Sequence, residues 1–154
     1  MPKMQSLLLL LQREQQQRDQ AQSALRQAED AARRAAEQYD QLQAYRSDYE
    51  ARWAAQFNQG GTMQIVLCYR SFMLRLDQAL AMQSRQAELA DGALERARGA
   101  LLDSERRVAS VRKLLDRRLD EQAQASRKRE QKHTDELAQR MRWRSAQADG
   151  TNTQ

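Results

Sequence analysis

The side chains able to do covalent or acid/base chemistry in this chain are few and far apart. His133 is the single histidine and Cys68 the single cysteine, with about 65 residues between them. A nucleophile must lie within hydrogen-bond reach of its base, and a metal needs several such ligands at close spacing; this sequence offers neither. Asp135 and Glu136 are adjacent, so on a helix they project to different sides and make no general acid/base pair. A glycine-rich phosphate loop is also missing. The residues point away from an enzyme and call for no cofactor or metal. His133 reads as a solvated helix residue and Cys68 as a small apolar residue near a bend, so the function of the chain has to reside in its surfaces.

What would position those surfaces follows from composition. Ala, Gln, Arg, Glu and Leu dominate the 154 residues, Pro2 is the only proline, and the glycines stand at 60, 61, 92, 99 and 150. That balance belongs to long helices and coiled coils, and 5% aromatic content leaves only a thin core. One cysteine permits no internal disulfide, which suits the reducing cytosol. The run Leu7 to Leu11 is too short for a signal-peptide core and is followed by Gln12, Arg13 and Glu14. No apolar stretch approaches the roughly 20 residues of a membrane span. A soluble cytoplasmic chain without direct membrane insertion is expected.

The net charge of +5 is concentrated late in the chain: residues 117 to 144 hold nine Arg or Lys against five Asp or Glu. The interleaved acids fit an acidic protein surface better than nucleic acid or anionic lipid, so no nucleic-acid partner is expected.

The strongest helix-breaking cluster is Asn58-Gln59-Gly60-Gly61-Thr62, where glycine can take the left-handed cap and Thr62 can N-cap a second helix. Heptads on the two sides match in antiparallel register. Arm two steps through Met73, Leu76, Leu80, Gln83, Ala87, Ala90, Leu94, Ala97, Leu101, Ser104, Val108, Val111 and Leu115 without a slip. Arm one steps likewise from Leu7 and Leu11 to Tyr49 and Trp53, and paired positions add to 122: Trp53 with Tyr69, Leu42 with Leu80, Arg18 with Ser104, Leu7 with Leu115.

The expected fold is therefore all-α: a long antiparallel two-helix coiled-coil hairpin with an extended C-terminal helix. Arm one covers about residues 4–57, the turn 58–62, arm two about 63–116, an unpaired helix about 117–146 and a disordered tail 147–154. At about 1.5 Å per residue the paired arms would make a rod of roughly 75 Å. Ala32 with Ala90 and Ala35 with Ala87 bury few methylenes, which predicts easy bending there and a gain in melting temperature from Ala35→Leu.

Seven of the eight rings lie between Tyr39 and Phe72. With Tyr39 and Leu42 at a and d, Gln38, Tyr45, Phe72 and Ala79 are g positions and share one edge, beside the seam residues Leu42, Tyr49 and Leu76. The opposite e edge carries Gln43, Glu50, Asp77 and Ser84. Tyr39, Tyr49, Trp53 and Tyr69 read as packing. Tyr45 and Phe72 have no further layer to cover them, and exposed paired rings mark a docking patch.

The segment Arg129-Glu-Gln-Lys-His-Thr-Asp-Glu-Leu-Ala-Gln-Arg140, near the end of such a hairpin, resembles the flagellar export protein family FliJ. The resemblance spans about residues 5 to 145. Its most specific matches are Gln131, Lys132, Asp135, Glu136, Ala138, Gln139 and Arg140, with the sets flanking the turn. It implies a stalk-like component of flagellar type III export, cytoplasmic and held peripherally at the inner membrane through the export apparatus. Its implied partners are the hexameric export ATPase, the cytoplasmic domain of the export gate, and export chaperones. Carried over residue by residue, Gln131, Lys132, Asp135, Glu136 and Arg140 would bind the ATPase; Gln38, Leu42, Tyr45, Tyr49, Phe72, Leu76 and Ala79 would bind the gate. Gln83 departs from the family pattern and stays outside that patch. Competing readings are the equivalent stalk of a virulence injectisome, a basic nucleic-acid-associated coiled coil and a homodimeric rod.

Overall fold

The computed structural model describes residues 2–151. Two α-helices, α1 (Pro2–Asn58) and α2 (Met63–Thr151), account for nearly all of them, and no strand occurs among the described residues. The helices pack against each other as the expected all-α hairpin.

The turn forms as its residue types dictate. Gln59 N donates to the Gln56 carbonyl and Gly60 N to that of Phe57, both at 3.1 Å, closing α1. Gly60 then takes φ +100°, a conformation that costs a residue with a Cβ about 1–2 kcal/mol. Gly61 does not share it; a Cβ there would approach the Phe57 ring to 3.3 Å. Thr62 starts α2: its Oγ1 accepts from Ile65 N at 3.4 Å and its carbonyl from Val66 N at 3.2 Å.

At the other end α2 continues through the segment expected to be disordered from residue 147, remaining helical to Thr151; residues 152–154 of that expected tail lie outside the described residues. Ala146, Gln147 and Ala148 are strong helix formers, and Gly150 costs only about 1 kcal/mol against alanine. Thr151 Oγ1 donates back to the carbonyls of Gln147 (3.2 Å) and Ala148 (3.0 Å).

Two compact units are present, Glu14–Arg106 and a terminal unit of Met1–Arg13 with Arg107–Gln154. In the unit Glu14–Arg106 every expected seam residue is buried or half-buried. The contacts across its arms hold the register: Trp53 with Tyr69, Tyr49 with Phe72, Arg46 with Asp77 and Gln83 with Gln38 and Ala35, whose numbers add to between 118 and 123. Met73 and Leu76 are buried in α2, while Ala32 and Ala35 are the buried residues of α1. Ser104 is also buried, in the layer where arginine was expected to face serine.

The closed alanine layers reverse one expectation. Ala35 is only 8% exposed, and Gln83 Nε2 donates to its carbonyl at 3.4 Å. A leucine at this position has no space to enter without separating the helices and displacing Gln83. Ala35→Leu is therefore expected to lower stability by about 1–2 kcal/mol through overpacking, read as a drop in melting temperature by circular dichroism. A rise would mean that the layer is looser than its burial indicates.

In the terminal unit Val108 and Val111 are buried and Leu7, Leu11 and Leu115 are half-buried, as a continued seam requires. Beyond Leu115 the seam turns polar, and Met4 meets Arg118, Gln122, Ala125 and Arg129 around a shallow cleft. Every described residue from 126 to 151 is exposed.

Candidate functional site

Both residue sets singled out above are surfaces, and each lies within one unit. The ring-bearing set occupies the unit Glu14–Arg106 next to the turn. Tyr49 sits at its centre, with its ring centroid 4.2 Å from Phe72, 5.9 Å from Tyr45 and 5.9 Å from Trp53. The chain of rings continues from Trp53 to Phe57 (5.5 Å) and Tyr69 (5.4 Å). Tilted and stacked pairs at these separations each add about 0.5–1.5 kcal/mol beyond area burial. The rings therefore hold the broad end of the hairpin together while leaving one member outermost.

That member is Tyr45, 49% exposed. Phe72, expected to be equally uncovered, is half-buried because Tyr49 tilts over it. Leu76 is buried, and Leu42, Tyr49 and Ala79 are half-buried. What a partner could touch directly is thus Gln38, Tyr45 and the edges of Phe72 and Ala79, with Leu42, Tyr49 and Leu76 forming the support beneath.

Gln83 belongs with this support, although sequence reasoning left it out. Its Nε2 donates to Gln38 Oε1 at 3.1 Å and so fixes the amide at the end of the patch. The available signal was its d position, one layer from Leu42 and Leu80.

The opposite edge has different chemistry. Arg46, a seam residue, leaves the seam toward it: Nε donates to Asp77 Oδ1 at 2.7 Å and a terminal nitrogen to Glu50 Oε2 at 3.3 Å. The hydrogen bond to Asp77, helped by the charges of Asp77 and Glu50, raises the guanidinium above its ordinary pKa, so it stays charged at any physiological pH. The hairpin therefore has one ionic edge and one apolar, aromatic edge near the turn.

The second set lies in the terminal unit. Gln131, Lys132, Asp135, Glu136 and Arg140 are all exposed on the last third of α2. Helical spacing puts Lys132, Glu136 and Arg140 on one face at steps of four, with Gln131 and Asp135 turned to the adjacent one. Trp143 joins the first face: Glu136, Gln139, Arg140, Trp143 and Arg144 border one surface hollow, and the indole is 68% exposed. Sequence reasoning gave Trp143 no role, although its distance of three and seven residues from Arg140 and Glu136 was legible. An exposed tryptophan between cations and an acid is a common centre of protein recognition.

The described residues contain no cluster of His, Cys, Asp or Glu suited to a metal, and Cys68 is exposed and unpaired. No helix among them is long and apolar enough to cross a membrane.

The sequence model of the family described as Flagellar FliJ protein matches residues 3–147, nearly the whole chain. No curated protein and no solved structure matches it. With a match of that extent on a helical hairpin, the chain belongs to the FliJ family and is a protein of flagellar-export type.

Proposed function

We propose that the chain acts as a stalk in flagellar type III export. Its terminal unit enters the ring of the export ATPase and promotes assembly and turnover of that enzyme; its turn-proximal unit engages the cytoplasmic domain of the export gate; export chaperones are further partners. In this reading the chain hydrolyses nothing itself and is held at the inner membrane only through the apparatus. Contact with the ATPase falls to Gln131, Lys132, Asp135, Glu136 and Arg140, together with Trp143. Contact with the gate falls to Gln38, Tyr45, Phe72 and Ala79, supported by Leu42, Tyr49 and Leu76.

The observation that carries the reading is the exposure of residues 126–151, helical throughout yet without a packed side. A lone polar helix of about 25 residues is marginal in water, because most helical stability comes from tertiary packing of one face. A partner that surrounds it supplies that packing. Leu8, Leu9, Leu10, Leu114 and Leu119 are exposed in the same unit and offer apolar surface for the same partner.

The test is ATP hydrolysis by the export ATPase of the same organism, with and without the full chain and with the chain lacking residues 117–154, at about 0.15 M salt, where surface charges are screened beyond about 8 Å. Stimulation by the full chain that disappears with the deletion is the expected result. Absence of both stimulation and co-elution would remove the stalk reading.

A further inference from the structure

Two glycines stand inside α2 where neither the backbone nor the packing asks for them. Gly92 and Gly99 are seven residues apart and both at f in the heptad frame, on the surface turned away from α1 in the unit Glu14–Arg106. Neither takes positive φ, as Gly60 does. A Cβ on Gly99 would meet nothing within 4 Å, and one on Gly92 only the guanidinium end of Arg96 at 3.6 Å. Alanine would fit both places and hold the helix better, since glycine costs backbone entropy and leaves peptide groups open to water.

What the glycines change is the ease of one bend. A helical side chain covers the turn before its own Cα, so the missing Cβ of Gly92 bares the carbonyls of Glu88 and Leu89, and that of Gly99 those of Glu95 and Arg96. Helices curve convex toward water because carbonyls on that side tilt outward and their hydrogen bonds lengthen. Both glycines therefore favour a curve with α2 outermost. Between Ala21 and Leu42, α1 has neither glycine nor proline, and the seam layers at this height, Ala32 with Ala90, Ala28 with Leu94 and Leu25 with Ala97, put an alanine in every pair and interlock little. Nearer the turn the arms are tied, by the Gln83 amide donating to Gln38 at 3.1 Å and by Arg46 to Asp77 at 2.7 Å. With helix axes about 9 Å apart, a bend of about 20° lengthens the outer helix by about 3 Å relative to the inner one. The ties oppose sliding of the arms near the turn, so the lengthening falls to the glycine-bearing segment.

We infer that the stretch of α2 from Gly92 to Gly99, over the alanine-bearing layers, is a bending joint of this unit, and that the unit curves there with α2 on the outside. The joint lets the ring-bearing end change direction while the cross-arm ties keep its register. It lies within one unit and stands whether or not the stalk reading holds.

The test uses the full chain with Cys68→Ser and nitroxide labels on Gln16→Cys and Ala44→Cys, two exposed f positions on the outer face of α1. A straight helix sets them about 42 Å apart, and a bend of about 20° toward α1 shortens the distance between the labels by about 5 Å. Double electron–electron resonance is expected to give a broad distribution that extends below the straight-helix distance, and Gly92→Ala with Gly99→Ala to narrow it to the long end. In the same variant the protection of amides 92–103 against hydrogen exchange is expected to rise at least tenfold more than that of amides 72–86. Both substitutions favour helix, and unchanged circular dichroism checks that the labelled chains fold. A distance distribution that the two substitutions leave unaltered overturns the inference, whatever the exchange shows. So does a narrow distribution at the straight-helix distance before they are made.

Discussion

Trp53→Ala is expected to destabilise the unit Glu14–Arg106 by about 2–3 kcal/mol. The indole lies 5.9 Å from Tyr49, 5.5 Å from Phe57 and 5.4 Å from Tyr69, joining the two arms where the unit has its largest side chains. Full burial of tryptophan would set the cost of truncation at about 3–5 kcal/mol; half-burial brings it to the lower figure, since part of the ring is already in water. Urea unfolding followed by circular dichroism reads the effect. Tyr45→Ala serves as the comparison: its ring stacks on Tyr49 but is half in solvent, and it should cost less than about 1 kcal/mol. Equal costs at the two positions would show that the ring chain is a surface feature throughout. The contrast also separates the support of the patch from the part available to a partner.

Lys132→Glu combined with Arg140→Glu is expected to weaken binding to the export ATPase at least tenfold, about 1.4 kcal/mol, while leaving binding to the gate domain unchanged. Both side chains are exposed on one face of the terminal unit, so their reversal disturbs no internal packing. Reversing two charges on a face that also holds Glu136 turns a mixed surface acidic and removes its attraction for an acidic partner surface, acting first on the association rate. The loss should shrink as salt is raised. Titration of the ATPase and of the gate domain against the same variant checks both halves. Equal weakening of both would end the proposed division between the two units.

The two predictions draw on different kinds of legibility. The seam could be read directly, because a three–four alternation of apolar residues has one meaning on a helix, and the breaker cluster at 58–62 can reverse the chain in one place. Every seam position from Leu7 to Leu115 proved buried or half-buried as a result. The edges were less legible. Heptad letters put Tyr45 and Phe72 side by side as equals, but a letter does not say which ring a neighbour will cover, and Tyr49 tilts over one of them only. Residues 147–151 were misread for a related reason: their low hydrophobicity suggested disorder, whereas helix propagation needs only residues that do not oppose it.

Sequence by itself determined the helical hairpin, its turn and its register, because periodicity, glycine and residue type act locally and add along the chain. Tertiary structure alone decided which side chains stay available. It placed Gln83 on Gln38, closed Ala35 against any larger side chain, sent Arg46 to the ionic edge and left Leu67, Leu74, Met82 and Leu89 uncovered. Exposure is the sum of what every neighbour covers, and in a two-helix protein one tilted ring or one long side chain is enough to change it.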